Sequence, residues 1–184
     1  MKQDIDNLEQ TYKLCKSSGK IKEKEIDVDL IKSIYQVSKQ RLNFINKQKE
    51  NLNKDSFDWT FVFVDYYESL RGLIEAILLF HGYSADNHQC KNALICHKYK
   101  DLDWEFLEII RLKRNYINYR GIMLKYNNWK QFELSFKLHI KNLEEEINKR
   151  LKDKFTINTK NILNKIENGE NTISEKEFMG NIRN

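Results

Sequence analysis

Proline is absent from the 184 residues and glycine occurs only six times. The chain therefore lacks the turn residues that an all-β sandwich needs between its many short strands. Cysteine is scarce as well. Cys15, Cys90 and Cys96 form an odd, sparse set for a disulfide framework, and the polar start Met1-Lys-Gln-Asp lacks a secretory h-region, so the expected compartment is the cytoplasm. Long apolar runs are also missing. The longest, Leu73 to Phe80, is interrupted by Glu75 and falls far short of the roughly 20 residues that a membrane span requires. Nucleotide-binding glycine loops, nucleophile elbows and His-Glu-x-x-His are all absent, which removes the common enzyme classes those motifs announce. What the chain does have is aromatic and charged side chains. Ten Phe, nine Tyr and three Trp can fill a core, so full disorder is excluded, and 32 Lys and Arg against 27 Asp and Glu make the domain mildly basic.

Helices are the default that remains. A short one is expected from about Gln3 to Lys16, ended by Ser17-Ser18-Gly19. From about Asp27 to Leu52 the residues Leu30, Ile34, Val37, Ile45 and Leu52 recur at helical spacing, with Ile31 and Phe44 beside them, and predict an amphipathic surface helix. The segment from Ser56 to His81 is apolar around most of its circumference in its second half and must be buried on several sides. After a loop at Gly82 to Asp86, a helix from about Asn87 to His97 is capped by Asp86 with Gln89, and another runs from Asp103 to about Tyr119, with Gly121 at its left-handed stop. Asn128 and Gln131 repeat the capping spacing before the last strong stripe, Trp129, Phe132, Phe136, Ile140, Leu143, Ile147 and Leu151. The resulting expectation is an all-α helical bundle. An N-terminal helix and turn occupy 1–24, the bundle 25–155, and a partly helical appendage 156–184, with a weak helix at about Thr159 to Glu167 and another from Ser174.

Three groups of residues invite chemistry. His88, Cys90, Cys96 and His97 suggest zinc by type, but at 100° per residue they point to two separate faces of one helix, so no metal is expected. Glu68, Arg71 and Glu75 form a charged line down the most apolar helix and require partners, either as an internal ion pair or at a polar cleft. The third group carries the most. Between Lys91 and Lys130 there are nine basic and four acidic residues, an excess of five that equals the net charge of the whole chain. An anion should therefore meet the protein here. Within this window the run Arg111-Leu-Lys113-Arg114-Asn115-Tyr116-Ile-Asn118-Tyr119-Arg120-Gly121 offers guanidinium forks, amides and aromatic faces that grip phosphate and stack on unpaired bases. A basic helix terminus that complements its own dipole contains the same residue types.

Tyr66-Tyr67-Glu68-Ser-Leu-Arg71-Gly72-Leu-Ile-Glu75-Ala, a Gly-Tyr-Ser loop with His88 following, and then Arg114-Asn115-x-x-x-Tyr119-x-Gly121 resemble the HEPN superfamily of small helical domains. The similarity is to stand-alone archaeal and bacterial members whose last motif reads Arg-Asn-x-x-x-(His or Tyr)-x-Gly, and it spans about residues 25 to 152. The resemblance implies an up-and-down bundle of four to five helices that pairs into a homodimer whose Arg-Asn motifs face one another across a cleft. It also implies RNA as ligand, no cofactor, and a toxin-antitoxin or defence setting with a nucleotidyltransferase-type antitoxin partner. Catalytic members are metal-independent endoribonucleases in which the arginine holds the scissile phosphate and a histidine serves as acid or base or orients the 2′-hydroxyl. Carried over, Arg114 is the phosphate clamp, Asn115 steadies the motif, and Arg111, Lys113 and Arg120 add anion contacts. The histidine position falls on Tyr119. Tyrosine titrates near 10 where histidine titrates near 6.5, and losing an acid-base partner costs about 10²- to 10⁴-fold in rate. The expected function is thus RNA or nucleotide binding with a degenerate nuclease motif. An active ribonuclease and a purely structural helical protein are the alternatives. His81, His97 and Arg71 are the residues from elsewhere that would complete such a cleft.

Overall fold

The computed structural model describes residues 6–167, with side chains over 6–153. Six helices and one two-stranded sheet follow in the order α1 (Leu8–Ser17), β1 (Ile21–Glu23), α2 (Val28–Lys49), α3 (Trp59–Phe80), β2 (Tyr83–Ala85), α4 (His88–Lys98), α5 (Trp104–Arg120) and α6 (Tyr126–Glu167). The protein is all-α in class. Among the described residues no helix is long and apolar enough to cross a membrane.

Short polar side chains start these helices by accepting otherwise unpaired N–H groups. Asn7 caps α1, Asp27 accepts from Leu30 N at 2.9 Å, Asn87 from Cys90 N at 2.8 Å and Asp103 from Phe106 N at 3.0 Å. The cap of α4 is therefore Asn87 and not Asp86, whose carboxylate instead pairs with Lys22 at 2.9 Å. α6 likewise starts two residues before Asn128, whose side-chain oxygen accepts from Lys125 N at 3.2 Å. Gly121 ends α5 at φ 64°, in the left-handed region a side chain disfavours.

α3 is the buried axis, and sixteen of its 22 residues are buried. α2 lies antiparallel against it. Ser38, Arg41 and Asn46 of α2 meet Gly72, Asp65 and Tyr66 of α3 in turn. Gly72 is what lets the helices close, since a methyl group there would collide with Ser38 Oγ. This pairing keeps Ile31 and Ile45 of the expected α2 pattern inside and overturns the rest of it. The buried residues are Ile31, Tyr35, Ser38, Leu42 and Ile45, whereas Leu30, Val37 and Phe44 are exposed. Two apolar lines run along α2 about 100° apart, and α3 takes the one whose small Ser38 fits its glycine.

Beyond α3 the core is aromatic. Phe136 of α6 packs edge-on against Phe63 of α3 at 5.5 Å and Phe106 of α5 at 5.3 Å, and Trp129 stacks beside it at 5.7 Å. The expected α6 stripe from Trp129 to Ile147 faces inward, with Phe132 half-buried. The chain divides into two compact units at Ile147, and α6 runs through that point to Glu167 as one helix. The separate weak helix expected from Thr159 is therefore the end of α6, because no glycine or proline interrupts residues 126–167. The expectation from Ser174 lies outside the described residues.

The loop expected at Gly82 to Asp86 is instead β2, which pairs antiparallel with β1, Ile21 opposite Ala85 and Glu23 opposite Tyr83. This clasp brings α1 onto α4. There Cys15 and Cys90, 75 positions apart with Cα atoms 5.6 Å from each other, form a disulfide. The view of the cysteines as an unpaired set is corrected accordingly: their number and spacing gave no sign of the approach, which depends on the strand clasp. Cys96 is unpaired and buried.

Candidate functional site

The charged line on α3 is partnered. Glu68 accepts from Arg71 Nε at 2.7 Å, and its other oxygen accepts from Arg114 Nη2 at 2.8 Å and Nε at 3.2 Å. Glu75 pairs with Lys91 of α4 at 2.5 Å. Burial pushes the Glu68 carboxyl upward, but the hydrogen bonds and charges of Arg71 and Arg114 outweigh it and leave Glu68 below the ordinary carboxylate range. Arg114, the motif arginine, is thus tied to an acidic neighbour within its own chain. Arg111 is tied as well: its Nε and Nη2 donate to Glu108 at 2.6 to 3.0 Å, and Asn92 Nδ2 donates to the same buried carboxylate at 2.9 Å. Both arginines therefore do structural work, neutralising carboxylates that would be costly to bury unpaired.

They also reach a common cavity. Arg111, Arg114, Asn115 and Tyr119 of α5 and Asn87, His88 and Gln89 at the start of α4 line a space of about 260 Å³. Among the described residues, no hydrogen bond of either guanidinium uses Nη1, so each keeps one edge for a ligand. Arg71 does not join this cavity and lines a separate one with Arg41 and Gly72. The pairs Arg111–Glu108 and Arg114–Glu68 balance, so the anion-binding capacity here lies in the unbonded guanidinium edges. The first turn of α4 adds the positive end of a helix dipole.

The other expected anion contacts lie elsewhere. Lys113 sits 5.2 Å over the Phe132 ring of α6, and burial lowers its ammonium pKa. Arg120 stacks 4.8 Å over Tyr116. Their place on α5 explains this: one turn of helix spreads consecutive residues around the axis, and only 111, 114, 115 and 119 fall on the α4 side. His81 and His97 do not join the cavity either. His81 Nε2 meets Tyr99 OH at 2.9 Å, and His97 stacks on Tyr12 and lies 3.3 Å from Glu9.

The residue that does join is His88. Its Nδ1 lies 2.6 Å from Tyr67 OH, and the Tyr67 ring lies under Arg114 at 5.7 Å. Burial pushes the Tyr67 phenol up to about 12, helped by the adjacent Glu68, so it stays protonated at neutral pH. Burial also lowers the His88 pKa, and the charges of Arg71 and Arg114 lower it further. Neutral His88 thus faces the same cavity as the motif arginine, fixed by one phenol. Sequence reasoning reached His88 only as a zinc candidate and a family landmark. The usable signal was its place, immediately after a helix cap, where a side chain projects from the helix start.

Among the described residues no three His, Cys, Asp or Glu side chains converge as metal ligands. In chemical terms the cavity offers two guanidinium edges, three side-chain amides, a phenol on the rim and an imidazole able to carry a proton. Comparison with protein-family models, with curated proteins and with solved structures finds no match to this chain.

Proposed function

We propose that the chain is a HEPN-like binding or regulatory protein whose α4–α5 cavity takes one phosphate and its neighbouring sugar or base from single-stranded RNA or from a nucleotide. The observation that carries this reading is that Arg111, Arg114, Asn115, Tyr119 and His88 line one cavity. Magnitudes narrow the ligand. A space of about 260 Å³ lies just below the usual size of ligand sites, and two arginines already paired with carboxylates suit one phosphodiester better than a long polyanion. Tyr119 is 80% exposed, and exposed Ile122 and Met123 follow it. In this reading a second copy covers that rim and brings two motifs together, and a nucleotidyltransferase-type antitoxin is the partner in a toxin-antitoxin or defence setting.

The test is anisotropy of labelled single-stranded RNA and of a labelled mononucleotide. Asn115→Ala and Arg114→Lys, the second of which retains the charge opposite Glu68, are expected to weaken binding about 10-fold or more, as loss of a charge-assisted hydrogen bond does. The salt slope should correspond to about one or two phosphates, each contributing about −0.7. Unchanged affinity in both variants would leave the structural alternative standing.

His88 favours a second reading, a metal-independent endoribonuclease in which an imidazole from α4 takes the place of the motif histidine. The same proteins incubated with labelled RNA in chelator decide between the two. Cleavage by the wild type that Arg114→Ala and His88→Gln both abolish supports the enzyme; intact RNA supports binding alone.

A further inference from the structure

α1 is weakly held for a helix that reaches a functional wall. Of its ten residues only Thr11 and Cys15 are buried, and a helix this short is marginal by itself. Its other ties are at the surface: Glu9 lies near His97 and Lys100, Tyr12 stacks on His97 at 3.8 Å, and just before the helix Asp6 accepts from Gln89 Nε2 at 3.0 Å and, through its carbonyl, from Trp104 Nε1 at 2.8 Å. The one covalent tie joins Cys15 to Cys90. Cys90 sits in the first turn of α4, where its N–H donates to the Asn87 cap. That turn has two sides. Asn87 and Gln89 line the arginine cavity, and together with Cys90 they also line a second cavity of about 370 Å³ whose opposite wall is α1, including Thr11, Leu14 and Cys15.

We propose that Cys15 and Cys90 form a redox latch. As a disulfide the pair clamps α1 on the first turn of α4 and fixes Asn87, His88 and Gln89 as a wall of the arginine cavity; as a dithiol it releases α1 and loosens that wall. The chemistry is thiol–disulfide exchange with a low-molecular-weight disulfide. A cysteine thiolate attacks the small disulfide and expels one small thiol, and the second cysteine then displaces the other. Two electrons and two protons pass to the co-reactant, and a small dithiol reverses the sequence. Cys15 and Cys90 are themselves 5% and 2% exposed, so exchange proceeds through opening of the short α1, whereas the Cys96 thiol is buried within α4 and pushed up to about 12. In a reducing compartment the resting form is the dithiol, and oxidation closes the latch. The effect on ligand rests on the reading of the cavity given above; the latch itself does not.

The full chain is compared after treatment with glutathione disulfide and with dithiothreitol. Hydrogen exchange is followed on residues 8–17 and 87–91, and the His88 imidazole is titrated by NMR. Reduction is expected to speed exchange in both segments at least 10-fold, to move the His88 pKa back toward that of free imidazole, and to weaken binding of the labelled single-stranded RNA. Cys15→Ser should behave as the reduced protein in both buffers. If that variant fails to fold, the wild type in its two redox forms carries the test alone. Unchanged exchange at 87–91 together with an unchanged His88 titration overturns the latch, even if α1 alone is released. If both move while the RNA binds in neither form, the latch stands and the proposed ligand fails.

Discussion

His88 is the residue whose environment most exceeds what its neighbours in sequence suggest. Tyr67 holds one ring nitrogen, and Arg71 and Arg114 oppose protonation from α3 and α5. Because the folded pKa lies below the ordinary value near 6.5, the unfolded chain binds the proton more readily. Stability from this group is therefore complete above about pH 6.5 and is lost as pH falls through the folded pKa. Urea midpoints measured at pH 7.5 and 5.5 should show the wild type losing more stability than His88→Gln over that interval, and equal losses would contradict the assigned environment. A bound phosphate would act in the opposite direction, favouring the imidazolium and raising the pKa. Arg114 illustrates how residue identity and residue state differ. Its chemistry as a fork is evident from the sequence, but its anchor, Glu68, lies 46 positions away and could not be paired with it by spacing.

Elements meet according to which surfaces fit, and the α2–α3 pair is the clearest case. An alanine in a helix interior normally gains about 0.5 to 1 kcal/mol over glycine. At Gly72 the added methyl meets Ser38 Oγ in a closely packed seam, and overpacking costs about 1 to 3 kcal/mol. The larger effect wins. Gly72→Ala is expected to destabilise by about 1 to 2 kcal/mol in denaturant titration, and Ser38→Ala in the same molecule should recover most of it. A stabilised single variant would show that the seam is looser than described. Helix positions, by contrast, were largely legible from local pattern. The starts near Asp27 and Asp103, the 3.6-residue stripe of α6 and the Gly121 stop are local signals, whereas the caps expected at Asp86 and Asn128 did not hold, because neighbouring polar residues compete for the same role. The inward face of α2 was not legible, since two apolar lines compete and only α3 chooses between them. The sheet escaped notice because three-residue strands carry almost no pattern of their own.

For the whole molecule, the proposed second copy is the open structural consequence of the functional reading. Sedimentation at micromolar concentration is expected to give twice the 22.2 kDa chain mass, with Tyr119→Asp shifting it toward one chain. A sharp monomer in the wild type would remove the shared cleft and leave a single-chain cavity. Composition and periodicity alone determined the helical class, the last helix as far as Leu151 and the concentration of basic residues between Lys91 and Lys130, because each is a property of neighbouring residues or of simple counts. Only the folded chain decided that Arg111 and Arg114 answer the buried Glu108 and the half-buried Glu68 before any ligand, that His88 is the histidine beside them, and that Cys15 meets Cys90. Those are contacts between residues 3 to 75 positions apart. The closest of them depends on a buried carboxylate, and the others on chain closure, which sets distances that no local period encodes.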